Sequence, residues 1–459
     1  VPARDRSFVD SVIKAYDVRG VVGEHIDEAF VKEVGAAFAR LLRSEGESTV
    51  AVGHDMRESS PSLSDAFAEG VMNQGLDVVK VHLCSTDELY YASGSMKCAG
   101  AMFTASHNPS QYNGIKMCRA GARPVGEQTG LAEIKDDLVR GVPAYDGDRG
   151  EATDKDVLPG YAKFLNSLVD LTSSRPLVVA VDAGNGMGGY TVPAVLGGLP
   201  LDIRPLYFEL DGTFPNHVAN PLEPKNLVDL QKFVVDQKAD IGLAFDGDAD
   251  RCFVVDEKGN PVTPSAICAL IAERYLSQKP GATIIHNLIT SHTVPEMITE
   301  NGGKPVRTRV GHSFIKATMA KTGAIFGGEH SAHYYFTEFF NADSGMLAAL
   351  HVLAALGSQD KPLSELMDHY SRYEASGEIN SRLDSAEAQR ERVEAVRAAY
   401  ADCAESMDEL DGLTVELRNG EWFNVRASNT EPLLRLNAEA KTREAVDALT
   451  SDVLAVIRA

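Results

Sequence analysis

Short, almost continuously apolar runs recur through the first three quarters of this chain and constrain its fold more than any other feature. They lie at 48–52, 78–83, 177–182, 203–207, 240–245 and 283–286, with amphipathic stretches between them. A strand with one wet face alternates apolar and polar residues. A run that is apolar at successive positions is covered on both faces, which places it in a mostly parallel sheet between layers of helix. The expected class is α/β. A coarser rhythm overlies this one. A strand ending in a polar turn (AVGHD, VAVDAGNG, IIHNLITS) is followed later by a second strand ending in a dense polar loop, AGAMFTASHNP, ADIGLAFDGDADR and GAIFGGEHSAH in turn. Three such units would set three functional clusters at the carboxyl ends of strands, where open α/β sheets bind ligands.

At 459 residues the chain has room for about three or four domains, each with its own core. Its 44 Lys and Arg against 66 Asp and Glu give a net charge of −22. That excess repels a phosphate backbone, so neither nucleic acid nor an anionic membrane is the expected partner. A small anion would need a local site that is basic or neutralised by a metal. The six cysteines form no CxxC pair, which argues against a disulfide framework and for a reducing cytoplasm. The N-terminus lacks a long apolar segment, and the apolar runs near Ala266 and Met346 fall short of the roughly 18 residues a membrane helix needs.

Composition also marks boundaries. The polar segment 141–156 is expected to be a linker, with further breaks near 256–264 and 357–362. Beyond these the pattern changes. Residues 386–403 form a charged helix with Val393, Val396, Tyr400 and Cys403 on one side. LTVEL, WFNVRAS and LLRLNAEA make an antiparallel meander, and a last helix shows Val446, Leu449, Val453, Val456 and Ile457 on one face. This C-terminal part is α+β.

Four loops carry the chemistry. In FDGDADR, Asp246, Asp248 and Asp250 would repel one another unless a cation gathers them, and hard divalent cations prefer such oxygens. An EF-hand is excluded, because Arg251 occupies the place that requires Gly and strands flank the loop. In TASHNP, Ser106 is a candidate nucleophile, with His107, Asn108 and Lys116 as donors around an anion. The loop lacks the GxSxG elbow of acyl-transfer serines. GEHSAH offers Glu329, His330, Ser331 and His333 for sugar hydroxyls. Its two histidines lack further ligands at zinc spacing. RASNTEP offers Arg426, Ser428, Asn429 and Thr430 as a phosphate cradle.

Together with KAYDVRG (Tyr16, Asp17, Arg19, Gly20) and VGHSFIK (His312, Lys316), these loops resemble the α-D-phosphohexomutase family in order and interval over nearly the whole chain. The closest likeness is to bacterial phosphomannomutases that also handle glucose phosphates, whose sugar loop likewise ends in His. The resemblance implies three similar α/β domains with mixed sheets plus a C-terminal α+β domain around a central cleft. Their expected bounds are 1–148 for the phosphoserine loop, 157–256 for the metal, 257–367 for the sugar and 374–459 for the phosphate.

The resemblance further implies a phosphoserine at Ser106 and one Mg²⁺ held by Asp246, Asp248, Asp250 and the Ser106 phosphate. Arg19, His107, Lys116 and Arg251 surround the reacting oxygen, without one of them being singled out as the base. Tyr16, His312, Glu329, Ser331, His333, Arg426, Ser428, Asn429 and Thr430 bind substrate. A hexose 1,6-bisphosphate serves as activator, and the protein is expected to be a monomer or weak dimer. One departure is visible: Leu288 and Ile289 stand where many dual-specificity relatives carry a substrate-contacting Lys, which leaves His292 or Arg309 as the compensating cation. Phosphoglucosamine mutase and a non-catalytic sugar-phosphate sensor are the alternatives. The first usually carries Gln at the place of His330. The second would need neither Ser106 nor the three aspartates.

Overall fold

The structure is a computed structural model describing residues 3–428 and 431–459. It forms two compact units, residues 1–262 with 331–364, and residues 263–330 with 365–459.

In the first unit, β1 (Val18–Val21), β2 (Thr49–His54), β3 (Asp77–Leu83), β4 (Ala99–Phe103), β5 (Tyr112–Arg119), β6 (Arg123–Pro124) and β7 (Ala152–Asp154) form a sheet ordered β1-β5-β4-β2-β3-β7, with β6 on β5. β2 is parallel to β3 and β4, and His54 stands opposite Phe103. The carboxyl ends of β2 and β4 therefore emerge side by side. β5 runs antiparallel to β4, and β1 antiparallel to β5. Helices Glu28–Ser44 and Ser60–Asn73 bury Phe30, Val34, Phe38, Phe67 and Val71 against Phe103 and Ile115 of the sheet. Helix Thr86–Met96 starts with a reciprocal cap: Ser85 Oγ accepts from Glu88 N–H while the Glu88 carboxylate accepts from Ser85 N–H. Such a cap is worth about 1 kcal/mol and fixes where the helix begins.

A second sheet in this unit contains β8 (Leu177–Asp182), β9 (Leu201–Leu206), β10 (Ile241–Phe245), β11 (Cys252–Asp256) and β12 (Pro261–Val262), ordered β12-β11-β10-β8-β9. β10 is parallel to β8, and all five of its residues are buried. β11 returns antiparallel, with Cys252 opposite Phe245.

In the second unit, β13 (Thr283–Asn287) lies between β14 (Lys304–Thr308) and β15 (Phe326–Gly328), all parallel. Residues 331–364 belong to the first unit. They supply the antiparallel pair β16 (Tyr334–Phe336) and β17 (Ala342–Asp343) and the almost wholly buried helix Gly345–Gly357. The second unit closes with an antiparallel sheet of β18 (Glu374–Ala375), β19 (Ile379–Arg382), β20 (Ala404–Asp408), β21 (Leu413–Leu417), β22 (Trp422–Ala427) and β23 (Leu433–Ala440). Val396 of helix Ala386–Tyr400 and Val446 and Val453 of helix Arg443–Ile457 pack on Leu413, Val425 and Leu436 of this sheet.

The expected α/β class with mixed sheets and a C-terminal α+β part is observed. Three details differ from the sequence reading. The 141–156 linker contains β7, which pairs parallel with β3 through backbone bonds while its side chains are exposed, so no apolar pattern announces it. The charged helix ends at Tyr400, leaving Cys403 exposed. In addition, β20 forms without a β-branched residue, held by pairing with β21. Among the described residues no helix is long and apolar enough to cross a membrane.

Candidate active site

The reactive loops are the tips of antiparallel pairs. Residues 104–111 join β4 to β5, and 246–251 join β10 to β11. A parallel neighbour ends each first strand at the same edge, and the tight return leaves the loop's side chains at that edge. Ser106 has a left-handed backbone (φ 51°), which costs a non-glycine residue about 1–2 kcal/mol. Its N–H donates to Thr104 Oγ1 at 2.9 Å. Gly247 packs against the Ser106 carbonyl, and a Cβ there would lie 2.3 Å from that oxygen. Only glycine permits this approach.

The result is a buried hydroxyl among carboxylates. Ser106 Oγ donates to Asp248 Oδ1 at 3.0 Å and lies 3.3 Å from Asp246 Oδ2. The Lys116 ammonium reaches Asp248 Oδ2 at 2.7 Å and Asp250 Oδ2 at 2.9 Å. Burial alone would lower the Lys116 pKa, but the two carboxylates outweigh it and push it well above the ordinary lysine value. In this state Lys116 can donate a proton but cannot accept one. Arg251 Nε donates to Asp246 Oδ2 at 3.0 Å, and its Nη2 donates to His107 Nδ1 at 2.9 Å. A guanidinium only donates, so the His107 ring proton sits on Nε2. Burial first, then Arg251 and Arg19, lowers the His107 pKa to about 3. Arg19 Nη1 donates to Asn108 Oδ1 at 2.9 Å, and its Nη2 pairs with Asp17.

The ligand atoms of Asp246, Asp248 and Asp250 lie within 4.8 Å of one another. Burial and the charges of Asp250 and Asp248 push the Asp246 pKa well above the usual carboxylate value. Asp250 Oδ1 is buried without a hydrogen-bond partner. Crowded carboxylate oxygens with one orphaned acceptor are the donor set a hard divalent cation takes, so these residues fit Mg²⁺.

Ser331 and His333 also belong to the first unit, where Ser331 Oγ and His333 Nδ1 share a hydrogen bond of 2.9 Å. Burial first, then Arg251, lowers the His333 pKa to about 3. Its ring, Asp250 and Asp343 bring ligand atoms within 4.8 Å of one another. Tyr16 stands exposed just before β1.

In the second unit, buried Glu329 accepts from Asn287 Nδ2 at 3.1 Å and Gly311 N–H at 3.3 Å. His312 opens the helix His312–Thr322, which also carries the buried Lys316. His330 Nδ1 meets Ser265 Oγ at 2.7 Å. On β22, Arg426 stands directly opposite Arg435 of β23. Arg426 Nη1 and Arg435 Nε are both buried without a hydrogen-bond partner. Glu378 Oε1 lies 3.8 Å from Arg435 Nε, and an anion would take up the donors that the two facing guanidiniums leave unmet. Ser428 follows β22, its N–H bonded to Leu433 O and its Oγ accepting from Glu431 N–H. Asn429 and Thr430 lie outside the described residues. The His292 ring stacks on Trp422, and its Nε2 meets Glu416 at 3.0 Å. Arg309 is exposed, with its guanidinium 4.6 Å from the centre of the Phe314 ring.

Sequence reasoning missed Thr86, Asp343 and the pairing role of Arg435. Thr86 Oγ1 donates to Asp248 Oδ2 at 2.6 Å and its N–H to Asp248 O at 3.1 Å, so the start of helix Thr86–Met96 braces the metal loop. Its only sequence signal was the capping string STDE. Arg435 was visible as the last residue of RASNTEPLLR, but its partner follows from strand register.

Comparison with known proteins gives a consistent result. Family profiles described as phosphoglucomutase/phosphomannomutase match in four parts: alpha/beta/alpha domain I over residues 10–140, domain II over 159–259, domain III over 263–373, and the C-terminal domain over 378–456. A phosphomannomutase of Escherichia coli is 38% identical over 457 residues, covering 97% of this chain and 98% of its own. A phosphoglucomutase of Neisseria gonorrhoeae is 37% identical over 457 residues, covering 98% and 97%. The crystal structure of a phosphoglucomutase/phosphomannomutase family protein from Burkholderia thailandensis superposes with a TM-score of 0.89 at 32% identity, covering 98% of this chain and 97% of that one. With relatives this similar along nearly its whole length, the chain belongs to the phosphoglucomutase/phosphomannomutase family of α-D-phosphohexomutases.

Proposed function

We propose that Ser106 is the phosphoryl carrier of a hexose-phosphate mutase. The enzyme is an isomerase-class phosphotransferase that interconverts hexose 6-phosphate and hexose 1-phosphate through a bisphosphorylated sugar. The observation that carries the assignment is the Ser106 hydroxyl, buried against Asp246 and Asp248 with Lys116 and Arg251 beside it. In the first transfer the free sugar hydroxyl attacks the phosphorus on Ser106, the bond to Ser106 Oγ breaks, and the hydroxyl proton passes to a neighbouring base. The other phosphate of the bisphosphate then returns to Ser106 and leaves the isomeric product. Phosphoryl transfer depends on positioning and charge neutralisation more than on covalent help. Mg²⁺ on Asp246, Asp248 and Asp250 supplies Lewis-acid neutralisation.

Among this chain's own residues, Arg19, Lys116 and Arg251 supply fixed positive charge, and Lys116 is a proton donor. His107 and His333 are neutral imidazoles, and a phosphoryl dianion beside them raises their basicity. Tyr16, His312, Glu329, Ser331 and His333 grip the sugar. Arg426, Ser428, Asn429 and Thr430, with Arg435, hold the phosphate that is not reacting. The division of labour follows segments 1–148, 157–256, 257–367 and 374–459. We assign hexose 1,6-bisphosphate as activator, a monomer or weak dimer as the working form, and the cytoplasm as the compartment, in keeping with six free cysteines.

The sugar loop favours mannose and glucose phosphates over amino sugars. Turnover of mannose 1-phosphate, glucose 1-phosphate and glucosamine 1-phosphate, each with bisphosphate and Mg²⁺, tests this reading. Mannose 1-phosphate and glucose 1-phosphate are both expected to turn over faster than glucosamine 1-phosphate, and a clear preference for the amino sugar would overturn the reading.

Replacing Arg426 tests the cradle. In Arg426→Gln, KM for the hexose phosphate is expected to rise about 10- to 100-fold, the loss of one charge-assisted contact. An unchanged KM contradicts the assignment.

A further inference from the structure

Behind the Ser106 loop lies a third arginine, Arg57, whose bonds are all made inside the first unit. The Arg57 side chain is 1% exposed. Its Nε donates to Asp55 Oδ2 at 3.2 Å, Nη1 to Pro109 O at 2.8 Å and Tyr112 O at 3.0 Å, and Nη2 to Ser106 O at 3.2 Å and Asn108 O at 2.8 Å. A guanidinium has five N–H donors, and each has one acceptor here. Three of the five are carbonyls of the loop that carries Ser106, and a fourth is that of Tyr112, where β5 begins.

We propose that Arg57 is a positioning residue for phosphoryl transfer: its guanidinium gathers the carbonyls of residues 106, 108, 109 and 112 and so fixes the peptide of Ser106 in the orientation that aims Oγ at Asp246 and Asp248. This rests on Ser106 as the phosphoryl carrier. Three observations support it. Ser106 has a left-handed backbone, which costs a non-glycine residue about 1–2 kcal/mol, and the Arg57 bond to its carbonyl helps hold it there. That same carbonyl is the atom against which Gly247 packs, so any movement of it shifts the two loops relative to each other. Arg57 itself is anchored independently of the loop. Asp55 accepts from Arg57 N–H at 3.0 Å and from Ser60 Oγ at 2.6 Å, Asp55 N–H donates to Phe103 O at 2.9 Å, and the Phe214 ring centre lies 5.2 Å from the guanidinium carbon. Every hydrogen bond of the Arg57 guanidinium goes to Asp55 or to a main-chain carbonyl between residues 106 and 112, and none to the Ser106 hydroxyl, so it positions the loop rather than touching the reacting atom.

The test uses Arg57→Lys in the full chain. Lysine keeps the charge but has three donors and no planar fork, so it cannot serve all five acceptors. The kcat is expected to fall about 100-fold, the usual cost of misplacing a reacting group by about 1 Å. KM for hexose phosphate and the Mg²⁺ dissociation constant should stay within about twofold. The single-turnover rate of Ser106 phosphorylation by hexose bisphosphate, read by intact mass, should fall in proportion to kcat. Asp55→Asn, which loosens the anchor but leaves the fork, should give the same KM-neutral pattern with a smaller drop. A folded Arg57→Lys with wild-type kcat, or a loss confined to KM, overturns the proposal. So does failure of both variants to fold, which would make Arg57 a residue of the fold alone. Wild-type protein separates the two ideas: if it turns over without phosphorylating Ser106, the carrier assignment fails, whatever the variants do.

Discussion

Ser106→Ala should have no measurable mutase activity, a loss of at least about 10⁴-fold, while still binding hexose phosphate. The expectation follows from covalent catalysis: the substituted side chain has no oxygen to carry the phosphoryl, and no other group replaces it. The hydroxyl is buried with two carboxylate acceptors, at 3.0 and 3.3 Å. Its removal takes a donor from these buried carboxylates, so the variant should melt somewhat below the wild-type temperature while remaining folded. Binding should survive because Arg426 and Arg435, the arginines proposed to hold the phosphate, stand on other strands. Calorimetric titration with hexose phosphate and a coupled assay on one preparation check both halves. Residual turnover above about 1% would contradict the carrier role.

The second large effect concerns the metal. Chelating divalent cations should abolish turnover, and Mg²⁺ should restore it. Asp250→Asn should lower kcat about 10²- to 10³-fold, the usual cost of removing one fixed electrostatic contact to the transferring group. Asp250 is the sharpest choice. Its Oδ1 has no partner within the protein, and Lys116 retains Asp248 when Asp250 is neutralised. Binding has its own readout. At about 100 times its dissociation constant, Mg²⁺ should stabilise the folded chain by about 2.7 kcal/mol, and Asp250→Asn should lose much of that shift at the same concentration. An Asp250→Asn protein with an unchanged Mg²⁺-dependent melting shift would remove Asp250 from the metal site.

The two loops behind these predictions were legible because their chemistry is local. Three aspartates in five residues cannot coexist buried without a counter-charge, and the five-residue apolar run before them placed them at a strand end. The charge balance was legible only in part. A net −22 describes the solvated exterior and conceals the gathering of Lys116, Arg251, Arg19 and Arg57 around the Ser106 and Asp246 loops. Arg57 is the clearest example of what the sequence could not reveal. It lies 49 residues from Ser106, in a string that has the composition of a turn. Only the parallel register that sets His54 opposite Phe103 brings the two strand ends together. Thr86 was hidden in the same way, since a capping string discloses where a helix begins but not which loop it braces. The substrate-side departure was legible as an absence, at Leu288 and Ile289. His292, one of the two cations offered for that place, stacks on Trp422 with Glu416 in reach, surroundings that no sequence spacing announces.

The most direct test of the central claim is the stoichiometry and site of enzyme phosphorylation. Wild-type protein is mixed with hexose 1,6-bisphosphate and Mg²⁺, quenched within one turnover, and analysed by intact mass and peptide mapping. The predicted result is one phosphoryl group per chain, on Ser106, formed at least as fast as kcat and lost on addition of hexose phosphate as the sugar bisphosphate appears. Turnover with no phosphoryl on Ser106, or with the phosphoryl on another residue, would contradict the account.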